Sequence, residues 1–378
     1  MSDSVNANAA ATSTSVGGNS SNIRRTSSGD SSTSSKRSIR TGTVDSRWLF
    51  NNFYVGEVII DARGSEAFEA ETLLGAISIP PVADCRCFAD IDRIGKQNLV
   101  SLSPRKRNLR DIVVIADQAQ LRDTKSWMYT LQRLLVDDGL VASVKTLSDS
   151  FSKFSERYHF YTTRASSGTG VIQSGVHRVN YPNEIVEGFL YLGNMWQAES
   201  QQVIEDLGIT HIVNATLDLG NVLESKGVVY HEVKIKDEST ADISKFFDST
   251  FQFINRAKRA SSQSSVASTG ARPSRPYRVL VHCTQGISRS ATLVIMYLMR
   301  ANHWSFVQAF NHTRNGRGVI IPNEGFLRAL MQEERRLHMT ESNSVTESEL
   351  DLLLQGRIAD RPIPPPLPSC QPTNCTIM

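Results

Sequence analysis

His282 and Cys283 close an apolar run, and an arginine follows six residues after the cysteine, within His282-Cys283-Thr284-Gln285-Gly286-Ile287-Ser288-Arg289-Ser290. A free cysteine is ordinarily an inert, buried, small hydrophobe. The neighbours of this one argue for chemistry. Arg278-Val279-Leu280-Val281-His282 reads as a buried strand, and Leu293, Val294, Ile295, Tyr297 and Leu298 read as an apolar helix. A loop between such a strand and such a helix aims the backbone N–H groups of Thr284, Gln285, Gly286, Ile287 and Ser288 at one spot. That spot lies at the positive end of the helix dipole and suits an anion. The same field lowers a thiol pKa, so Cys283 is expected to be a thiolate at neutral pH. Arg289 offers a planar fork that can hold two phosphate oxygens. Gly286 permits a turn that a Cβ would hinder, and His282 can orient the loop.

A thiolate beneath a bound phosphate can attack phosphorus in line, giving a phosphocysteine intermediate and dividing one difficult step into two. The departing oxygen then needs a proton. Asp237, just beyond the strand Tyr230–Ile235, is the candidate acid, and it would serve afterwards as base toward the hydrolytic water. Asp242 is the competing carboxylate, although it suits better the N-cap of the helix that begins at Ile243. Ser290 can stabilise the leaving thiolate. The scheme needs neither metal nor cofactor. Cys85 and Cys87 lack nearby histidines, so no zinc site is expected.

The elements that must position these groups alternate between strand and helix. Val58-Ile59-Ile60-Asp61, Asp111 to Ala116 and Ser143 to Leu147 are β-branched runs, with a helical segment from Leu121 to Leu135 between the last two. In the second half, Phe189 to Gly193 and Ile209 to Asn214 flank a helix from Glu199 to Leu207, and Ile243, Phe246, Phe247, Phe251 and Ile254 fit one helical face. The expected fold is α/β with a parallel sheet in each of two domains. Residues 1–44 are expected to be a disordered Ser/Thr-rich tail, 45–160 a first domain, 161–181 a linker, 182–340 the cysteine-bearing domain, and 341–378 a tail that turns proline-rich. Ala260 to Pro276 is expected to be a mobile insertion.

Composition excludes several classes. Apolar residues make up 40% of the 378, charged residues 21%, and the net charge is +3. Residues 1–44 alone carry that excess, so the rest is near neutral and a general nucleic-acid binder is not expected. No apolar run reaches membrane-spanning length, and the polar N-terminus does not resemble a secretory signal. Five irregularly spaced cysteines make a poor disulfide framework and suit a reducing, cytoplasmic setting.

Val281-His282-Cys283 through Arg289-Ser290-Ala291-Thr292 resembles the signature of the dual-specificity protein phosphatases. The likeness extends over most of 182–338, including Tyr191-Leu192-Gly193, Asp237, Met296-Tyr297-Leu298-Met299 and Pro322-Asn323-Glu324-Gly325-Phe326. It implies a shallow pocket that accepts phosphotyrosine and phosphothreonine or phosphoserine. The loop has no lysine, unlike phosphoinositide phosphatases, which favours protein substrates. The 46-residue step from Asp237 to Cys283 is long for the family, and the Ala260–Pro276 insertion accounts for it. The first domain is similar to rhodanese modules in Ile60-Asp61-Ala62-Arg63, Gly75-Ala76-Ile77-Ser78-Ile79-Pro80 and Phe151-Ser152-Lys153-Phe154. Asp117-Gln118-Ala119-Gln120 stand where a rhodanese would place its cysteine, so sulfur transfer is not expected.

A non-catalytic rhodanese-like module ahead of such a domain resembles the MAP kinase phosphatases. That implies docking of a phosphorylated kinase through a basic cluster, here Arg105-Lys106-Arg107 with Ile112 and Val114 downstream. Dephosphorylation of another phosphoprotein and sequestration of a kinase with little turnover are the alternatives. Cys375-Thr376-Ile377-Met378 resembles a prenylation box, with Cys370 as a second acylation candidate. Lipidation there would add peripheral membrane association to a cytoplasmic or nuclear distribution.

Overall fold

A computed structural model describes residues 39–53, 57–95, 104–164, 179–264 and 276–362, with the side chains at 92–95, 106 and 261–264 left undescribed. The N-terminal module runs β1 (Arg40–Val44), α1 (Ser46–Asn52), β2 (Val58–Asp61), α2 (Ser65–Ala70), β3 (Thr72–Leu73), β4 (Ile77–Ser78), α3 (Phe88–Gly95), α4 (Pro104–Arg107), β5 (Asp111–Ile115), α5 (Gln118–Arg122), α6 (Trp127–Asp138), β6 (Ser143–Leu147), α7 (Phe151–Arg157) and β7 (Thr162–Thr163). Its sheet has the order β1-β6-β5-β2-β4, parallel throughout. Both faces of β5 are covered, which is why Ile112-Val113-Val114-Ile115 can be apolar without alternation. Ile112 and Val114 pack with Met128, Leu131 and Leu135 of α6, while Val113 and Ile115 pack with Leu49, Phe50 and Phe154 on the other side.

The second domain follows as β8 (Asn183–Val186), β9 (Leu190–Asn194), α8 (Met195–Glu199), α9 (Gln201–Leu207), β10 (His211–Asn214), β11 (Val229–Glu232), α10 (Phe247–Ser264), β12 (Val279–Cys283), α11 (Arg289–Asn302), α12 (Phe306–Gly316), α13 (Glu324–His338) and α14 (Leu350–Leu354). Its sheet has the order β11-β10-β12-β9-β8, parallel except for the antiparallel β8–β9 pair. β12 is central and every side chain of it is buried, so the chain can leave it only at its C-terminal end, at Cys283. α11 begins six residues later and is buried from Ser290 through Met299 against the cluster that also holds Phe247, Phe306, Phe310, Phe326 and Leu330.

Several sequence expectations are corrected. The tail expected to be disordered through residue 44 ends in β1, which pairs along its whole length with β6. Arg-Thr-Gly-Thr-Val is mostly exposed there, so backbone hydrogen bonding holds the strand and no apolar pattern announces it. The helix expected from Leu121 to Leu135 is two helices, α5 and α6, separated by Asp123-Thr124-Lys125-Ser126. The expected linker is structured at both ends: Thr162–Thr163 pairs with β3, and Tyr161 and Tyr181 are buried. The face expected from Ile243 to Ile254 is split between the 3-10 turn Ser244–Phe246 and α10. α10 also continues to Ser264 within the expected insertion, of which residues 265–275 lie outside the description.

The tail expected from residue 341 in fact completes the second domain. Val345, Leu350, Leu353 and Ile358 join the core of the second domain, and Arg361 makes a two-point ion pair with Glu349, 2.8 and 3.0 Å. Leu353 is fully buried, so Leu353→Ala should cost about 2–5 kcal/mol, read as a lower urea midpoint. A loss under about 0.5 kcal/mol, the size of a surface change, would show that the segment does not belong to the core.

Candidate active site

Cys283 ends β12 with its side chain 1% exposed. Its Sγ accepts hydrogen bonds from the Gly286 N–H at 3.2 Å and the Ser290 hydroxyl at 3.2 Å. Burial alone would push this thiol up. Hydrogen bonds from the Ser290 hydroxyl and from the N–H groups of Ser290, Gly286 and Ile287 outweigh it, and the pKa falls below the ordinary thiol value. The lowering thus has a local cause.

The loop carbonyls explain why its amides can face the sulfur. Thr284 O accepts from Met195 N (3.3 Å), Gln285 O from Arg317 Nη2 (3.1 Å), Gly286 O from Arg317 Nε (2.8 Å), Ile287 O from Ile321 N (2.9 Å) and Ser288 O from Thr292 N (2.9 Å). The first four of these oxygens are held by partners outside the loop, the last accepts the first bond of α11, and the amides of Gly286 and Ile287, on the planes Arg317 holds, act on the Cys283 sulfur. Gly286 has φ +73°, and a Cβ there would lie 2.4 Å from the Gly193 carbonyl oxygen, so no side chain fits. Gln285 and Gly286 are thus held by an arginine that sequence reasoning did not find.

Arg289, the first residue of α11, donates from Nη2 to Thr284 Oγ1 (3.0 Å) and from Nε to Asp237 Oδ2 (3.3 Å). Asp237 Oδ1 accepts from the Ser288 hydroxyl (2.7 Å) and from Asn323 Nδ2 (2.9 Å). The carboxylate therefore sits over the loop, one hydrogen bond from the residue that flanks it. Asn323 also caps α13, accepting from Phe326 N at 3.0 Å. The close approach of the Asp237 segment to α13 depends on Gly325, where a Cβ would meet the Ser239 carbonyl oxygen at 2.0 Å. Asp242 accepts from the N–H and hydroxyl of Ser244, and so supports the 3-10 turn.

His282 is buried, and burial brings its pKa down to about 4, so the ring is neutral at neutral pH. Its Nδ1 has no hydrogen-bond partner among the described residues, while a backbone hydrogen bond with Cys283 opposes the effect of burial in part and ties the ring to the start of the loop. The structure thus brings together Cys283, Arg289, Asp237, Ser290 and loop residues His282 to Ser288.

The basic run is different. Arg107 is 2% exposed, its guanidinium pairs with both oxygens of Asp138 (2.9 and 3.1 Å) and lies over the Phe88 ring, and Ile112 and Val114 are wholly buried. The expectation that Arg105, Lys106 and Arg107 present one docking cluster beside Ile112 and Val114 is corrected. A planar cation stacked on an aromatic ring and forked to a carboxylate is a structural pair. Arg105 is exposed; the Lys106 side chain, Cys370 and Cys375 lie outside the described residues.

Residues 190–336 match the family model of the dual specificity phosphatase catalytic domain. A probable rhodanese domain-containing dual specificity protein phosphatase of Dictyostelium discoideum is 33% identical over 187 residues, which is 50% of this chain and 36% of that protein. Protein phosphatase Slingshot of Drosophila melanogaster is 32% identical over 47% of this chain and 16% of its own length. Dual specificity protein phosphatase 26 of Rattus norvegicus is 36% identical over 44% of this chain and 74% of its own. The chain thus spans about a third or less of the first two relatives and about three quarters of the third.

Proposed function

The chain belongs to the dual specificity phosphatase family, and on that premise we propose that it hydrolyses phosphotyrosine and phosphothreonine or phosphoserine in a MAP kinase through a phosphocysteine intermediate. The observation that carries this reading is the Cys283 sulfur held by the Gly286 N–H and the Ser290 hydroxyl, with the carbonyls from Thr284 to Ile287 engaged by partners outside the loop. In the first step the thiolate forms a bond to phosphorus as the bond to the leaving oxygen breaks, and Asp237 gives that oxygen a proton. In the second, water attacks phosphorus and passes a proton to Asp237. The sulfur leaves as thiolate, met by the Ser290 hydroxyl, and inorganic phosphate is released. Arg289 turns from Thr284 and Asp237 to the phosphate, exchanging a neutral acceptor and one carboxylate oxygen for two anionic oxygens.

The N-terminal module supports a macromolecular substrate, and the name of the Dictyostelium relative pairs the same two parts. The burial of Arg107 favours a second reading, in which the phosphoprotein is not a MAP kinase.

Turnover of an aryl phosphate in EDTA, followed by release of phosphate from a doubly phosphorylated MAP kinase and from an unrelated phosphoprotein, tests both. Turnover of both the aryl phosphate and the kinase, with the kinase preferred, is expected. Aryl phosphate hydrolysis without kinase dephosphorylation would move the assignment to the second reading. Kinase binding with no turnover at all would overturn the enzymatic assignment.

A further inference from the structure

Arg317 follows α12, and its guanidinium is spent in three directions: Nε to Gly286 O, Nη2 to Gln285 O, and Nη1 to Asn183 Oδ1 at 2.6 Å. One cation therefore holds two consecutive peptide planes of the phosphate-binding loop. Burial lowers the Arg317 pKa, and the nearby Cys283 opposes that in part. Asn183 opens β8 and is itself held at both ends of its amide. While Oδ1 accepts from Arg317, Nδ2 donates to the backbone oxygen of Asn51, 3.1 Å away in α1 of the N-terminal module. Asn51 in turn clamps the next residue of β8, accepting from Glu184 N (2.7 Å) and donating to Glu184 O (2.9 Å).

The junction around this chain of bonds is built to be rigid. The Glu184 carboxylate is fully buried and accepts from Tyr158 OH (2.5 Å) and Arg157 Nη2 (2.8 Å) of the N-terminal module and from Tyr191 OH (3.3 Å) of its own sheet. Phe50 stacks on Tyr158 with centroids 4.4 Å apart, and Tyr181 packs beside them.

We propose that Arg317 is a positioning residue for the phosphate-binding loop and that the N-terminal module sets its position through Asn51 and Asn183. The module is then a structural support of the catalytic loop. A ligand or partner that displaces α1 would loosen the loop without touching a reacting group. This deepens the phosphatase reading and rests on it.

The test uses the full chain carrying Arg317→Lys, Asn183→Ala, which removes the side chain that joins Arg317 to the Asn51 backbone, and both together. Three quantities are read: kcat and KM for an aryl phosphate, inhibition by inorganic phosphate, and the pH profile of Cys283 alkylation followed on its own peptide. Arg317→Lys keeps the charge and loses the fork, so kcat/KM should fall by roughly 10- to 100-fold. The alkylation midpoint should move to higher pH, because amides no longer pinned solvate the thiolate less well. Asn183→Ala should weaken phosphate inhibition and move the midpoint in the same direction by a smaller amount. The double variant should lose little beyond Arg317→Lys alone, because the two residues act through one path.

Additive losses would overturn the path from the module, and an unchanged alkylation profile in Arg317→Lys would overturn the positioning role. The alkylation profile is measurable even if the wild type turns over nothing, so failure of the phosphatase reading is separable from failure of this one.

Discussion

Cys283→Ser removes turnover while leaving phosphate binding nearly intact. The sulfur is the only atom of the site that the mechanism requires to form a bond to phosphorus, and a serine hydroxyl in the same place keeps its proton at neutral pH. Loss of a covalent nucleophile costs on the order of 10⁴- to 10⁶-fold in kcat. The anion cradle, by contrast, is made of loop amides held by partners behind the loop, and of Arg289, none of which depends on the thiol. Replacing a thiolate by a neutral hydroxyl also removes one negative charge from beneath the bound dianion, so affinity for inorganic phosphate should hold or rise. The pair of measurements is kcat with an aryl phosphate and Kd for phosphate by calorimetry. Residual turnover within tenfold of wild type would refute the phosphocysteine route. Loss of phosphate binding together with turnover would point instead to a collapsed loop.

The second large effect concerns Asp237. Its Oδ1 accepts from Ser288 and Asn323, and an asparagine oxygen can do the same, so Asp237→Asn should leave the thermal midpoint within a few degrees of wild type. It cannot give a proton to a leaving group. General acid–base steps contribute about 10²- to 10⁴-fold, so kcat should fall by that much. The size of the fall should depend on the leaving group. A nitrophenolate departs readily without a proton, whereas the alkoxide of a phosphothreonine does not. The deficit is therefore expected near the bottom of that range for an activated aryl phosphate and near the top for a phosphothreonine peptide. Equal deficits for both substrates would remove Asp237 from the acid role. A stable variant with undiminished turnover would return attention to Asp242, although Asp242 is engaged with Ser244.

The phosphatase reading and the support of the loop by the N-terminal module meet at Arg289 and Arg317, which approach the same loop from opposite sides. Arg289 reaches Thr284 and Asp237 on the side where phosphate would lie. Arg317 takes the carbonyls on the other side and passes the load to Asn183 and Asn51. Only the first can touch substrate, which is why the two substitutions should separate: Arg289 variants should lose phosphate affinity chiefly, and Arg317 variants should also shift the Cys283 thiol.

What the sequence determined by itself is the part of the site that is contiguous in the chain. A buried apolar strand, a cysteine at its end, a glycine at a left-handed turn and an arginine opening an apolar helix constrain one another over nine residues, because each acts on the backbone of the next. The parallel strands were legible for a similar reason: burial on both faces writes an uninterrupted apolar run, as in Ile112 to Ile115.

Tertiary structure alone decided the rest. Arg317 serves the loop from beyond α11, and a single long-range hydrogen bond leaves no period in the sequence to find; Asn323 and Gly325 stand in a segment singled out from the sequence, but their bond to Asp237 and close approach to Ser239 come only with the fold. Arg107 reads as a surface cation until Asp138 and Phe88 are brought to it. β1 is a strand because β6 offers it a ladder, and the segment from Val345 to Ile358 is core because the second domain leaves an apolar face for it to cover. In each case the partner lies far along the chain, and it is the partner's position, set by the whole fold, that gives the residue its role.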